Sequence, residues 1–464
     1  MTASTSLRTA CLNFWEVLAQ SIAMLGPTMT PVLIVPLAFA SSGNASWVAY
    51  VFGAVMLLAV ALSLREFATR SATAGSLYTY AQRAFGARGA MLAGWCLLWA
   101  YAFVCVAGLT GFAVFGNALL GSLGSAVPPM VFVAVCLGVG WYLSYRDIRL
   151  STITLLALET ASVSLIALLL VVVFAHKGIV DPDQLTLRGG SLSAIGLGAV
   201  IAVFSLVGFE SATSLGEEAK SPLRTIPAAV IWSVIIAGLF FVVCVYAEIL
   251  GTRGYATTLD KLTTPLDTLS DIARVPYLKI PIDIGALFSS FSVSLAALNA
   301  GARVIYTMGR SGLLPEPLGR SHPTHQSPHL ALSLFALVNL AIAVVMLVGF
   351  RRAPADAFGD TATLGAFGFV AIYLSIAAGA PLYLRRLGEM RPRHLALAAV
   401  TVLLLLVPTV GSVYPVPAPP GNVYPYLFFA YFAAGALWLW SRSAHAHVVE
   451  IEAAPAGAPA GEAG

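Results

Sequence analysis

The chain has 464 residues, of which 59% are hydrophobic and 10% charged, with a mean hydropathy of +0.87. A soluble domain carries roughly 25% charged residues, so this chain cannot cover itself with polar groups and its missing polar surface must be lipid. The net charge of +4 is spread over connecting segments with no basic tract, which excludes a nucleic-acid partner.

The N-terminal segment 1–11 leads into an apolar run, 17–40, with no basic flank and no cleavage-site pattern. It is too long for a signal peptide and reads as a first span that stays. A helix needs about 20 mostly apolar residues to cross a bilayer. Windows of that kind fall at 15–40, 46–69, 90–120, 128–145, 151–175, 192–215, 226–250, 282–308, 329–349, 361–384, 395–412 and 424–441. The reading is an all-α membrane protein of about 12 spans. With the N-terminus inside, 17 of the 25 Lys and Arg fall on cytoplasmic segments, which places both termini in the cytoplasm. The tail 443–464, rich in Ala, Gly and Pro, cannot bury a core and is expected to be disordered.

Spans one and six read as the two least hydropathic, each interrupted by Gly, Pro, Ser or Thr. In span one the run 21–31 is SIAMLGPTMTP; Pro27 and Pro31 lack the N–H that the ladder needs, so carbonyls near Gly26 are freed. In span six the run 204–210, FSLVGFE, supplies a second break. One kinked helix is ordinary. Two broken spans at matching positions, five spans apart, point to a secondary transporter built from inverted repeats, with repeat one at 12–176, repeat two at 190–386 and added helices at 394–442. Half-helix ends there offer amides to an anion and carbonyls to a cation.

Ionisable groups inside spans are costly and mark function. Glu159 stands about two turns into span five and Glu210 closes the break in span six. For Glu159 the bland reading is a protonated carboxyl bonded to a backbone carbonyl; desolvation disfavours its charged form, which equally suits a proton carrier. Glu16, Glu248 and Asp283 lie near span ends and read as capping or solvated acids. The five cysteines lie on apolar stretches without ligand spacing, and the seven histidines sit at loops and termini, so neither a metal nor a cofactor is expected. A channel would show charge rings or a filter loop, and an intramembrane enzyme convergent catalytic clusters; neither pattern is present. A non-transporting receptor stays open.

Three separated stretches resemble the amino acid–polyamine–organocation permeases. They are 74–86 (AGSLYTYAQRAFG) with 93–95 (AGW), 204–210 with 217–227 (EEAKSPLRTIP), and 298–303 (LNAGAR) with 309–315 (GRSGLLP). The resemblance implies a five-plus-five inverted-repeat fold of the leucine-transporter type in the inner membrane. It implies alternating access for an amino acid or related amine held between broken spans one and six, by symport or antiport. Carried over by position, Gly26, Pro27, Thr28 and Met29 would meet the substrate. Phe204 would take the place of the aromatic gate, with Ser205, Gly208 and Glu210 around it. Glu159 falls where several members have lysine and where sodium-coupled relatives of the fold hold sodium. Ser289, Ser290, Ser292 and Ser294 of span eight are the candidates to face it, and Ser290 and Ser294 are taken as the coupling pair. Members typically carry a Gly-Ser/Ala-Gly run where this chain has Gly26-Pro27-Thr28-Met29, so polyamines and other organic ions stay open as substrates, and proton and sodium as coupling ions.

Overall fold

The computed structural model describes residues 7–121, 124, 127–262, 264–414 and 416–442; the tail expected to be disordered lies outside the described residues. The helices in chain order are α1 (Phe14–Leu25), α2 (Val35–Ser42), α3 (Ser46–Ala68), α4 (Leu77–Gly121), α5 (Pro129–Arg146), α6 (Ile148–Lys177), α7 (Pro182–Leu185) and α8 (Leu192–Leu206). They continue as α9 (Pro222–Thr252), α10 (Pro265–Ile272), α11 (Lys279–Arg310), α12 (His329–Val344), α13 (Pro354–Arg386), α14 (Pro392–Gly411) and α15 (Tyr424–Arg442). Among the described residues the only β contact is an isolated parallel bridge between Leu12 and Ala219.

Local chemistry explains where the helices start. Asn13 caps α1 by accepting from the amides of Trp15 and Glu16, while the Glu16 carboxylate accepts from the Asn13 amide at 2.7 Å, a reciprocal capping box. Glu16 also pairs with Arg149, so its reading as a capping acid stands. Asp147 caps α6 and Ser191 caps α8 in the same way.

Ten helical runs among the described residues are long and apolar enough to cross a membrane. The first, Phe14–Ala68, has 55 residues and is interrupted by Gly26 and Gly43, both at positive φ. As one helix it would reach about 80 Å, far beyond about 30 Å of hydrocarbon. The least apolar runs are Pro129–Arg146 and Pro276–Arg310, which corrects the expectation that the broken spans are the least hydropathic. Glycine and proline break a helix through backbone geometry, which a hydropathy scale does not register.

Burial separates the lipid face from the packed face. On α5, Val131, Val135, Val139 and Tyr142 form an exposed stripe, whereas Val133, Cys136, Leu137 and Gly140 are buried. That 3.6-residue alternation of outside and inside is what one helix between protein and lipid requires. At the centre α4 lies along both α11 and α13, α3 lies against α8 and α9, and α1 is enclosed by α6, α9 and α11. The cores are apolar, yet lipid tails are as apolar as leucine, so close packing and hydrogen bonds carry the helix–helix specificity.

One end of the bundle is locked by ion pairs. Arg303 makes a bidentate pair with Glu218, Nε to Oε2 at 2.8 Å and a terminal nitrogen to Oε1 at 2.7 Å, with both side chains buried. The Glu218 carbonyl accepts from the amides of Cys11 and Leu12, which ties the N-terminal segment to the turn after α8. Arg8 pairs with Asp147 and Arg310 with Glu217 at the same end. Removing one partner of a buried pair such as Arg303–Glu218 costs about 3–5 kcal/mol, because the other charge stays behind.

Candidate functional site

Two helix breaks meet at the centre of the fold. The first follows α1, where Gly26 takes φ 57 and ψ 62 and its amide returns to the Ala23 carbonyl at 3.1 Å. The chain turns through Pro27 and Thr28, passes a π-helical turn at Thr30–Ile34 and re-enters a regular helix at Val35. A β-carbon on Gly26 would stand 2.9 Å from a Val293 methyl, so neither the backbone nor the space admits a side chain.

The second break follows α8. Val207 is extended, Gly208 has φ 93, and a 3₁₀ turn runs Phe209–Leu215. This break is almost fully satisfied. The Gly208 amide donates to the Tyr373 hydroxyl at 3.0 Å, and Tyr373 in turn donates to Glu210 Oε2. Tyr101 donates to Glu210 Oε1 at 2.9 Å. Ser21 Oγ donates to the Phe209 carbonyl at 2.5 Å and accepts from the Ala212 amide at 3.1 Å. Ser21 thereby stitches α1 to the turn beyond the second break.

The first break is not satisfied in this way. The Thr28 amide donates to Ser289 Oγ at 3.4 Å, and Ser289 Oγ donates to Glu159 Oε2 at 3.4 Å. Ser292 stands beside the same carboxyl. Among the described residues Glu159 Oε1, Ser292 Oγ, Thr28 Oγ1 and Thr30 Oγ1 are buried without a hydrogen-bond partner. Buried polar atoms are normally paired, and an unpaired one costs about 1–3 kcal/mol. Four such atoms on three segments, α6, α11 and the first break, mark an oxygen-lined place built to receive something.

The candidate residues therefore fall into different positions. Gly26, Pro27 and Thr28 line the first break. Met29 packs with Ala107, Val293 and Phe358, so it braces the break from behind. Phe204 is half-buried and belongs to none of the apolar clusters, as a side chain bordering a void would be. Ser205 is bonded to Tyr50 across α3 at 2.9 Å. Glu210 has both carboxylate oxygens occupied by phenols, so it clamps the second break and has no free oxygen for a ligand. Ser290 donates to the Ala286 carbonyl and Ser294 to the Cys105 carbonyl, both lying against Gly108 of α4. The residues of α11 that face Glu159 are instead Ser289 and Ser292. A helix that carries serine at four of six positions has one on almost every face, so its sequence alone does not fix the register.

Sequence reasoning missed Ser21, Tyr101 and Tyr373. Each is a single hydrogen-bonding group inside an apolar span, which was a usable signal, but its partner lies on a distant segment. It also misplaced Glu248, which is fully buried rather than solvated or capping. Among the described residues no three His, Cys, Asp or Glu converge as metal ligands.

A profile of the family described as "Amino acid permease" matches residues 12–447. The chain belongs to that family. With ten candidate spans it is a multi-pass membrane protein of all-α fold. The permease is 26% identical over 319 residues to the branched-chain amino acid permease BcaP of Bacillus subtilis, covering 64% of this chain and 67% of that one. It is 28% identical over 334 residues to the low-affinity putrescine importer PlaP of Escherichia coli, covering 69% and 71% respectively. It is 23% identical over 325 residues to the methylthioribose transporter of Bacillus subtilis, covering 66% and 69%.

Proposed function

We propose that this permease is a secondary active transporter of amino acids or related small amines, with substrate held between the two helix breaks and Glu159 as the proton-coupling group. The observation that carries the reading is the contrast at the centre of the fold: a break tied down at Glu210 faces a break that leaves buried oxygens free beside Glu159. Glycine backbone at Gly26 lets a small solute approach main-chain groups, and half-buried Phe204 is suited to cover it. Relatives named for branched-chain amino acids, putrescine and methylthioribose support a small organic solute. The reading includes no catalytic step.

The coupling follows from charge in a low-dielectric setting. A carboxylate at Glu159 has a serine hydroxyl for support and no cation, so a proton is the simplest partner for its charge. As the site opens to each side, solvation changes and the proton is taken up or released. Sodium is the second reading, favoured by the all-oxygen set of Glu159, Ser289, Ser292 and Thr28, which suits a hard cation.

The same reading gives twelve crossings, both termini in the cytoplasm and residence in the inner membrane, with 12–176 and 190–386 as inverted repeats and 394–442 as added helices. Breaks at Gly26 and Gly208 at corresponding places in the two segments support the repeat, and the excess of Lys and Arg on one set of segments supports the orientation.

Uptake of radiolabelled amino acids and amines into proteoliposomes, with pH and sodium gradients imposed separately, tests the proposal. The expected outcome is accumulation driven by pH alone, with Glu159→Gln keeping exchange and losing pH-driven accumulation. Sodium-dependent uptake by the wild-type permease would replace the proton reading, and no flux of any solute would leave a receptor of the same fold.

A further inference from the structure

Among the described residues, and apart from the capping Glu16, three carboxyls are buried within the apolar spans, and the mechanism above uses only Glu159 and Glu210. The third, Glu248, sits in α9, fully buried, and among the described residues neither carboxyl oxygen has a hydrogen-bond partner. We propose that Glu248 is a second proton-binding site of this permease, separate from Glu159; the inference rests on the transporter reading only for its effect on proton count.

An isolated carboxylate in an apolar setting loses the hydration that stabilises its charge, so such a group is either paired or neutral. Among the described residues no cation is paired with Glu248. A neutral acid whose hydroxyl lacks an acceptor is still less favourable than an apolar residue of similar shape. A leucine or methionine would pack the position more favourably, so the acid has a task that packing does not explain.

The surroundings say what the task is. The titratable groups that face Glu248 are Tyr50 of α3 and Cys244, one turn back on α9, both within its electrostatic reach. Acids of the other elements packed on α9 are engaged elsewhere: Glu16 with Arg149, Glu159 with Ser289, and Glu210 with Tyr101 and Tyr373. Asp267 of α10 lies near Lys279 and Asp271. With no cation and no donor beside Glu248, the ligand that fits is the proton itself.

Two features give that proton a path in and an effect. Five residues beyond Glu248, about 8 Å along the helix, Arg253 ends α9 and is gripped by Asp181 (2.6 Å), Asp183 (2.9 Å) and Asn44 (2.9 Å). Release of this clasp would give water a route to Glu248 from the Arg253 end. On the inner side, the Tyr50 hydroxyl is bonded at 2.9 Å to Ser205, next to the last helical residue of α8 before the second break. Charging Glu248 therefore acts on the half-helix that ends at the break.

The test uses the full-length permease in liposomes and dicyclohexylcarbodiimide, an apolar carbodiimide that reacts with protonated carboxyls. Peptide mass spectrometry after treatment between pH 5 and 9 should give an adduct at Glu248 whose rate falls at least tenfold across that range. Reconstituted Glu248→Gln should move one proton fewer per substrate than wild type, and Glu248→Asp should restore the count. An adduct that is absent or independent of pH, or an unchanged proton count in Glu248→Gln, overturns the proposal. Should Glu248→Gln fail to fold, the pH profile of wild-type labelling decides alone. Labelling needs neither substrate nor gradient, so sodium-driven uptake would overturn the coupling assigned to Glu159 without deciding the fate of Glu248.

Discussion

The two helix breaks do opposite things with the same raw material. Both use a glycine at positive φ in the middle of an apolar span, and both leave main-chain groups outside the helical ladder. At Gly208 the surrounding spans give the Gly208 amide, the Phe209 carbonyl and both Glu210 oxygens partners in Tyr373, Tyr101 and Ser21. At Gly26 they do not: Thr28, Thr30, Ser292 and one oxygen of Glu159 stay free. The lesson is that a break is a site only where its polar groups are left over. Where they are consumed, it is a joint.

The largest effects are expected at the glycines. A β-carbon on Gly208 would come within 2.5 Å of Met24 Cγ at φ 93, so Gly208→Ala combines left-handed strain of about 1–2 kcal/mol with overpacking of about 1–3 kcal/mol. Folded protein recovered by gel filtration in detergent should drop several-fold. Gly26→Leu should abolish transport and also lower the yield of folded protein, because its β-carbon meets a Val293 methyl at a left-handed φ. Normal uptake by Gly26→Leu would remove the first break from the transport path.

Tyr373→Phe and Thr28→Val compare the breaks directly. Losing the Tyr373 hydroxyl strands the Gly208 amide and one oxygen of Glu210, a cost of about 2–4 kcal/mol that should lower the apparent Tm by several degrees. The Thr28 hydroxyl has no partner, so Thr28→Val should leave the Tm within about a degree and change only transport. Equal destabilisation by the two substitutions would erase the distinction between joint and site.

Much of this was legible in the sequence, and what was not has a physical cause. The glycines and prolines at 26–31 and the FSLVGFE run announced both breaks, because backbone geometry at Gly and Pro is a local property. Glu159 announced itself as a lone acid among aliphatic residues. The partners did not, because Tyr101, Tyr373 and Ser21 acquire their roles only when spans more than a hundred residues apart pack together. Glu248 shows the same limit from the other side. Its distance from the end of the span suggested solvent, whereas α3, α8 and the segment after Thr252 cover that end.

Serines on α11 give a sharper test of the same idea at smaller amplitude. Ser289 links the Thr28 amide to Glu159, while Ser290 turns toward α4. Ser289→Ala should reduce pH-driven accumulation several-fold and shift its pH optimum, with exchange retained. Ser290→Ala should leave the pH profile where it was. The reverse pattern would mean that the helix works in the other register.

Phe204 carries the smallest expected effect on stability and tests directly whether substrate is held between the breaks. Its ring is half-buried and packs into none of the apolar clusters, so truncation removes little of the fold's own packing. The stability cost of Phe204→Ala should therefore fall well below the about 3–5 kcal/mol of a core phenylalanine. If the ring covers bound substrate, its loss removes contact and lets water reach the solute. A loss of about 1–2 kcal/mol in binding corresponds to a KM raised roughly 5- to 30-fold. Phe204→Trp keeps an apolar plate of similar reach and should stay within about threefold of wild type. Initial rates over a substrate range in proteoliposomes, with thermal unfolding of the same preparations, separate these outcomes. A large fall in Tm with unchanged KM would make Phe204 an ordinary packing residue, and the cover of the first break would have to be sought on another helix.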